Sequence, residues 1–268
     1  MRALHQGDYG RAERLATAYL GKNPSDVRML IVLGRAQLAQ GELLAAFKQF
    51  RKALARSPKD VDALYYMSFA ARALSQQEYQ KLLRVHPESS QVHELLAEAA
   101  VRNSNPVMAE DEFKKALQAD PRFVEALIDL AELKRSQSKF EEAITYYTQA
   151  ASLAPLSYDV AYGLGACYTY EHDYGQAVAW LNKAIRLVPD SAAAHFALGN
   201  ALLQTDQLEA AIPELKGSLR LEPSMRQAYF LLGRAYTKLG RKAEADAAFR
   251  KLEELDRAVV PTTQTTQP

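Results

Sequence analysis

Seven prolines divide the chain at nearly constant intervals. They are Pro24, Pro58, Pro87, Pro121, Pro155, Pro189 and Pro223. Five of the six intervals are 34 residues long, and the interval that ends at Pro87 is 29. A fixed period of this size is typical of a solenoid of stacked units rather than of one globular core. Each unit then contacts only its neighbours, so the whole array forms one continuous body.

Each interval carries the pattern of two helices joined by a turn. Two residues after five of the prolines stands an Asp or Ser that can cap a helix: Asp26, Asp60, Ser89, Ser157 and Ser191. Apolar residues of helical period follow, such as Leu30, Leu33 and Ala36. We expect a left-handed backbone at the turn, which glycine, and less easily aspartate, accepts. The matching turn positions are Gly7, Gly41, Ser104, Ser138, His172, Asp206 and Gly240.

Small residues recur at fixed places in both predicted helices. The first helix carries Leu33-Gly34, Leu164-Gly165, Leu198-Gly199 and Leu232-Gly233, and the second carries Ala46, Ala143, Ala177, Ala211 and Ala245. From about residue 7 to residue 257 these motifs resemble the tetratricopeptide repeat family. The resemblance implies an all-α fold, an α-solenoid in which antiparallel helix pairs stack into a right-handed superhelix. It also implies a protein–protein interaction scaffold.

The proline intervals set the predicted repeat boundaries. We expect a partial repeat over 1–23 and then about seven repeats, over 25–58, 59–87, 88–121, 122–155, 156–189, 190–223 and 224–257. The polar, low-complexity residues 258–268 are predicted to be a disordered tail. Because the first repeat lacks its beginning, we expect a piece of a longer protein, the alternative being a natural chain with a degenerate start.

The repeat over 59–87 is five residues short. Tyr79 and Leu83 keep the distance to Pro87 that Phe50 and Leu54 keep to Pro58. The loss therefore falls in the turn and the start of the second helix, near residues 75–77. We predict a shortened second helix there, with a local change in superhelical pitch.

Composition and motifs argue against catalysis. The net charge of +1 favours neither nucleic acid nor an anionic membrane. The single cysteine, Cys167, occupies a small packing position and is predicted to be a buried, inert thiol. The five histidines form no metal-ligand pair at i, i+4 spacing. We therefore predict no catalytic residues, no metal and no cofactor.

The resemblance places partner binding on the concave face, which first helices line in this family. Aligned repeats put Tyr162, Phe196 and Phe230 in one column at a period of 34. Further predicted contacts lie beside this aromatic column: Tyr170, Asn200, Arg234 and Lys238. Rings beside an amide and cations suit an extended peptide or an amphipathic helix. Packing between neighbouring repeats is the alternative role of these rings.

Acidic residues occupy the middle of the same face. They are Glu94, Glu98, Glu125, Asp129 and Glu132, which we call the acidic zone. Like charges at this density favour a basic partner segment through steering and complementarity. Solvated surface charge is the alternative.

The sequence therefore predicts a non-catalytic scaffold that binds peptide segments or helices of other proteins in its concave groove. A regulatory or substrate-presenting arm of a larger enzyme or cell-envelope assembly protein is an alternative. Self-association into a homo-oligomer through uncapped ends is another. We expect a soluble protein without direct membrane insertion, cytoplasmic or on the envelope side of a bacterium if a longer precursor carries a signal or anchor.

Overall fold

The computed structural model describes residues 2–259, and these residues form fifteen helices without a strand. The helices group into two compact units, one ending at Pro87 and the other beginning at Glu88. None of the described helices combines the length and apolar character that crossing a bilayer requires.

Unit 1 contains the partial repeat, one complete helix pair and a long helix. Its helices are α1 Arg2–His5, α2 Tyr9–Lys22, α3 Val27–Ala39, α4 Leu43–Arg56 and α5 Val61–Val85. Phe50 of α4 is fully buried in the core of this unit. A Cβ atom on Gly34 of α3 would lie 2.5 Å from the Phe50 ring. Glycine at that position therefore lets α3 and α4 pack closely.

Unit 2 contains five consecutive antiparallel helix pairs. They are α6 Ser90–Arg102 with α7 Pro106–Ala119, α8 Val124–Ser136 with α9 Phe140–Leu153, α10 Tyr158–Tyr170 with α11 Tyr174–Leu187, α12 Ala192–Gln204 with α13 Leu208–Leu221, and α14 Arg226–Lys238 with α15 Lys242–Val259. Large side chains again fill the space above small ones, as Leu181 does above Gly165. The all-α architecture of stacked helix pairs is confirmed.

The predicted helix boundaries follow from local hydrogen bonding. All five predicted N-caps accept a hydrogen bond from the backbone N–H three residues later. All seven predicted turn positions have positive φ angles, between 54° and 80°. Four of these positions are not glycine, and each follows a first helix of unit 2. The turn positions therefore separate the helices as the alignment predicted.

The prediction of a shortened second helix in the repeat 59–87 is wrong. Residues 61–85 form the single helix α5 of 25 residues, without a turn. The five-residue deletion falls near Ser75, which stands 34 residues after Gly41, and shortens the segment that forms the turn in the other repeats. The residues that remain, from Ser75 to Gln80, contain no glycine or proline to interrupt a helix.

The predicted tail lies almost entirely outside the described residues. Helix α15 runs to Val259, two residues beyond the predicted end of the last repeat at 257. Residues 260–268 fall outside the part of the chain that the structure describes.

Candidate protein-interaction face

Two first helices of unit 2 bring the acidic zone together. Glu94 and Glu98 lie one turn apart on α6, and Asp129 and Glu132 lie on the equivalent stretch of α8. Carboxylate oxygens of Glu94, Glu98 and Asp129 all lie within 4.8 Å of one another. The repeat therefore converts a spacing of about 34 residues in sequence into a close cluster of like charges.

Burial and mutual repulsion raise the proton affinity of this cluster. Partial burial, followed by the charges of Glu98 and Asp129, raises the pKa of Glu94 to about 7. Burial, followed by the charges of Glu98, Glu132 and Glu125, raises the pKa of Asp129 to about 6. The Glu94 carboxyl group is thus only partly ionised near neutral pH, and the Asp129 carboxyl group becomes partly protonated at a slightly lower pH. A cation placed between them would favour the ionised forms.

The internal cations neutralise only part of the zone. Arg102 donates to Glu98 at 3.0 Å, and Arg135 together with the Tyr147 hydroxyl donates to Glu132. Within residues 2–259, no Lys or Arg nitrogen lies within 4.0 Å of a carboxylate of Glu94, Glu125 or Asp129. The zone therefore keeps unpaired negative potential on an accessible face.

An open cavity of about 430 Å³ lies beside the acidic cluster. Its lining combines acidic and apolar side chains: Glu98, Val101, Arg102, Phe113, Asp129, Glu132, Leu133 and Ser136. The sequence predicted the acidic part of this lining but missed the apolar floor formed by Phe113 and Leu133. Both belong to the core of unit 2 and are almost fully buried, whereas Val101 on the cavity wall is 48% exposed. A charged rim over an apolar floor suits a long cationic side chain, because its methylene groups can lie on apolar surface.

The clustered carboxylates are also the ligand type of hard divalent cations. Glu94, Glu98 and Asp129 would supply three oxygens. Calcium takes six to eight oxygen ligands, so this cluster alone would leave most of its coordination shell to water.

The aromatic column divides into packed and accessible rings. Tyr162 is half-buried and stacks on Tyr158 with ring centroids 5.8 Å apart, and half-buried Phe196 packs against the core of unit 2. Phe230 is 46% exposed, and the Arg234 guanidinium lies 5.9 Å from its ring centroid. Tyr162 and Phe196 thus contribute to packing, whereas Phe230 and Arg234 present a free surface.

The remaining predicted contacts have partners within the chain. Tyr170 is exposed but stacks flat on Phe140, with centroids 4.4 Å apart. Lys238 forms an ion pair with Asp206 at 2.9 Å. The Asn200 amide oxygen accepts a weak hydrogen bond from Gln204 at 3.3 Å. Its amide N–H groups are directed to no partner among the described residues.

Three polar side chains of first helices, His93, His195 and Lys134, have glutamate partners that were not predicted from the sequence. His93 and His195 occupy equivalent positions, and each contacts a glutamate 19 residues later, at 2.7 and 2.6 Å respectively. Equal sequence separation at equivalent repeat positions was the available signal. Lys134 is fully buried, and its ammonium nitrogen forms ion pairs with the carboxylates of Glu110 and Glu142 at 2.7 and 2.6 Å. These pairs join first and second helices and do not reach the cavity lining.

Helix pairs of this kind, with small residues at fixed positions and left-handed turns, define an α-solenoid repeat protein. Models of the tetratricopeptide repeat match residues 1–61, 61–122 and 196–258, and related repeat models match 124–155 and 167–206. The chain therefore belongs to the tetratricopeptide repeat family, whose fold is typical of non-catalytic scaffolds that bind other proteins. A search of curated proteins by sequence found no match.

Solved structures of repeat proteins resemble the chain in fold. A crystal structure of MamA shares 25% sequence identity with a TM-score of 0.59, covering 61% of this chain and 95% of MamA. A MamA fragment from Desulfovibrio magneticus RS-1 shares 21% identity with a TM-score of 0.61, covering 63% of this chain and 96% of the fragment. YrrB, described as a TPR protein with an unusual peptide-binding site, shares 18% identity with a TM-score of 0.61. That alignment covers 67% of this chain and 92% of YrrB.

Proposed function

We propose that this chain is a non-catalytic scaffold that binds a basic peptide segment of a partner protein on the first-helix face of unit 2. The observation that carries the proposal is the carboxylate cluster of Glu94, Glu98 and Asp129, of which only Glu98 is paired with a cation, beside an open cavity with an apolar floor. A Lys or Arg side chain would place its charge among the carboxylates and its methylene groups against the exposed side chain of Val101. The charged group would then contact carboxylates, and the methylene groups would contact an apolar surface.

Charge supports a cationic partner over a neutral one. An incoming ammonium or guanidinium group favours the ionised form of Glu94, whose pKa is raised by burial and then by repulsion from Glu98 and Asp129. Binding therefore releases protons, and the affinity should rise with pH between about 6 and 8. Apolar residues flanking the basic residue would contact Val101 and Leu133 on the cavity wall.

The accessible aromatic surface at Phe230 and Arg234 extends the proposed contact. The Phe230 ring can contact an apolar side chain of the peptide, and the free amide N–H groups of Asn200 can donate a hydrogen bond to a peptide carbonyl. Binding at several modest sites along one peptide is consistent with an array in which each repeat contributes one or two contacts. YrrB, which shares the fold, is itself described as peptide-binding.

A defined probe tests the proposal. A fluorescein-labelled peptide in which Lys and Arg alternate with Leu is titrated with the full chain and followed by fluorescence anisotropy. The matched probe replaces every Lys and Arg by Gln. We expect the basic probe to bind and the Gln probe to bind at least about tenfold more weakly, a difference of about 1.4 kcal/mol.

Variants locate the binding site. The double change Glu98→Gln and Asp129→Asn should weaken the basic probe, whereas Glu253→Gln and Glu254→Gln on the exposed face of α15 remove equal charge and should leave it unchanged. Equal weakening by both double variants would mean that only net charge matters and would refute the assigned site. Equal affinity for the two probes would refute the basic partner.

A further inference from the structure

The fused helix α5 leaves uncovered a face that the complete repeats bury. Leu64, Tyr65 and Ser68 occupy the positions of Leu30, Ile31 and Gly34 in the preceding repeat, 34 residues earlier. Leu30 and Ile31 are 4% and 7% exposed, whereas Leu64 and Tyr65 are 45% and 63% exposed. We call the accessible side chains of this helix face the α5 face: Val61, Leu64, Tyr65, Ser68, Phe69 and Arg72.

The cause of this exposure is the missing antiparallel helix. In the preceding repeat, α4 turns back after Gly41 and places Phe50 on Gly34. The same arrangement recurs in unit 2, where Leu181 covers Gly165. Because α5 runs straight to Val85, its own second half cannot return to cover Ser68. Ser68 therefore lacks the large side chain that covers the equivalent small residue in the complete repeats.

We propose that the α5 face binds an amphipathic helix of a partner protein, which takes the place of the absent second helix. The repeats of this chain specify what such a helix needs. Covering helices carry a small residue, a large apolar residue four positions later and a small residue three positions after that, as in Ala46, Phe50 and Ala53. The large residue would sit over Ser68, with its neighbours against Leu64.

Charge identifies the partner helix as acidic. Unit 1 carries 14 Lys and Arg residues against seven Asp and Glu, a net charge of +7, although the whole chain is nearly neutral. Arg72 lies on the α5 face itself, with its guanidinium 5.3 Å from the Phe69 ring centroid. The adjacent helix α4 contributes Lys48, Arg51, Lys52 and Arg56. An acidic helix gains attraction from this surface, whereas the basic residues of unit 1 oppose docking of a second copy of the same unit.

The chain supplies both probes for the test. A capped peptide of residues 140–153 contains Ala143, Tyr147 and Ala150 with two glutamates and no basic residue. A capped peptide of residues 43–56 has the same small–large–small pattern but four basic residues and no acidic one. Both are labelled and titrated with the full chain that carries Glu98→Gln and Asp129→Asn, because these changes should weaken binding of the basic probe in the acidic zone of unit 2. Affinity is read from fluorescence anisotropy. We expect the acidic probe to bind at least about tenfold more tightly than the basic probe.

Ser68→Gln tests the location without changing charge. The larger side chain fills the space above the α5 face and should weaken the acidic probe about tenfold or more. Ser152→Gln is the matched control, because Ser68 and Ser152 are both exposed helical serines whose hydroxyls donate to the carbonyl three residues earlier at 2.7 Å. Far-ultraviolet circular dichroism checks that both variants keep the helix content of the parent.

Several results would overturn the proposal. Equal affinity of the two variants for the acidic probe would place its binding elsewhere, and tighter binding of the basic probe would contradict the inferred charge. A dimer in sedimentation experiments that Ser68→Gln dissociates would identify a second copy as the occupant. An oligouridine probe whose binding depends on Ser68, without any binding of the acidic peptide, would assign the α5 face to nucleic acid.

Discussion

Replacing Glu94 by Gln should stabilise the protein at alkaline pH and have little effect at acidic pH. The pKa of Glu94 is about 7 in the folded chain against an ordinary value of 4.5, because burial and then Glu98 and Asp129 disfavour its charge. The folded state therefore binds more protons than the unfolded state between these values. Stability falls as pH rises through this window, since the carboxyl group must ionise in an unfavourable place. Gln removes the charge at every pH.

The magnitude follows from the pKa difference. At about 1.4 kcal/mol per pH unit, a pKa of about 7 corresponds to a penalty of at most about 3 kcal/mol at pH 8. Glu94 is only partly buried, and solvent screening reduces the expected gain to about 1–2 kcal/mol. At pH 5 the carboxyl group in the folded chain is already largely protonated, so the gain should be below about 0.5 kcal/mol.

Urea unfolding followed by circular dichroism at pH 5 and pH 8 measures this difference. Glu78→Gln is the control, because Glu78 is an exposed mid-helix residue whose only ionic contact within residues 2–259 is Lys81 at 3.8 Å. Its effect should stay within about 0.5 kcal/mol at both values of pH. A Glu94→Gln variant with equal gain at pH 5 and pH 8, or with a loss at pH 8, would refute the electrostatic reasoning.

The remaining predictions concern packing and the fused helix. Gly165→Ala should cost about 1–3 kcal/mol in urea unfolding, because the new Cβ would lie 2.5 Å from a side chain of α11. Gly175→Ala, with no neighbour closer than 3.6 Å, should instead be neutral or stabilising by up to about 1 kcal/mol. Cys167 is fully buried and its pKa is raised to about 12 by burial, so iodoacetamide should label it only after unfolding, as mass spectrometry would show. Spin labels at Leu64 and Leu83 should lie about 28 Å apart along the single helix α5. Inserting five residues with a central glycine after Leu74 should bring the labels to about 10 Å, and an unchanged distance would contradict the account of the missing turn.

The sequence predicted those features of the fold that depend on local chemistry repeated in register. N-cap oxygens, such as that of Asp26, and left-handed turn positions, such as Gly41, are determined by neighbours within a few residues. Because the pattern recurs along the chain, each copy supports the helix boundaries assigned in the others. Close packing at Gly34 and Gly165 follows from the same alignment, because each glycine keeps its distance to the next large residue.

A deletion seen in an alignment of repeats does not show whether it shortens a helix or fuses two helices into one. Residues such as Tyr79 still have the spacing of a second helix, and that spacing is compatible with either one helix or two. Serine at this position can adopt a left-handed backbone, as Ser104 and Ser138 do, so what decides between them is the shortening of the segment after Ser75 that would form the turn. A helix continues where nothing interrupts its hydrogen bonding.

The candidate sites were only partly accessible from the sequence. Aligned columns placed Glu94, Glu98 and Asp129 near each other, but the cavity depends on how side chains of neighbouring helices pack around it, which the alignment does not show. Likewise, the alignment that places Phe196 and Phe230 in one column does not show how buried each ring is. One of these rings packs in the core and the other is accessible, because their neighbours differ from repeat to repeat.

Site-specific photo-crosslinking in cells tests the proposed scaffold function most directly. A photoreactive phenylalanine analogue replaces Val101, on the wall of the cavity, or Val107, an exposed residue of the second helix α7. We expect the analogue in place of Val101 to capture partner segments that are rich in Lys and Arg, which mass spectrometry identifies. The analogue in place of Val107 should capture few or none of them. Capture of the same segments from both positions, or of segments without basic residues at Val101, would contradict peptide binding in the acidic zone.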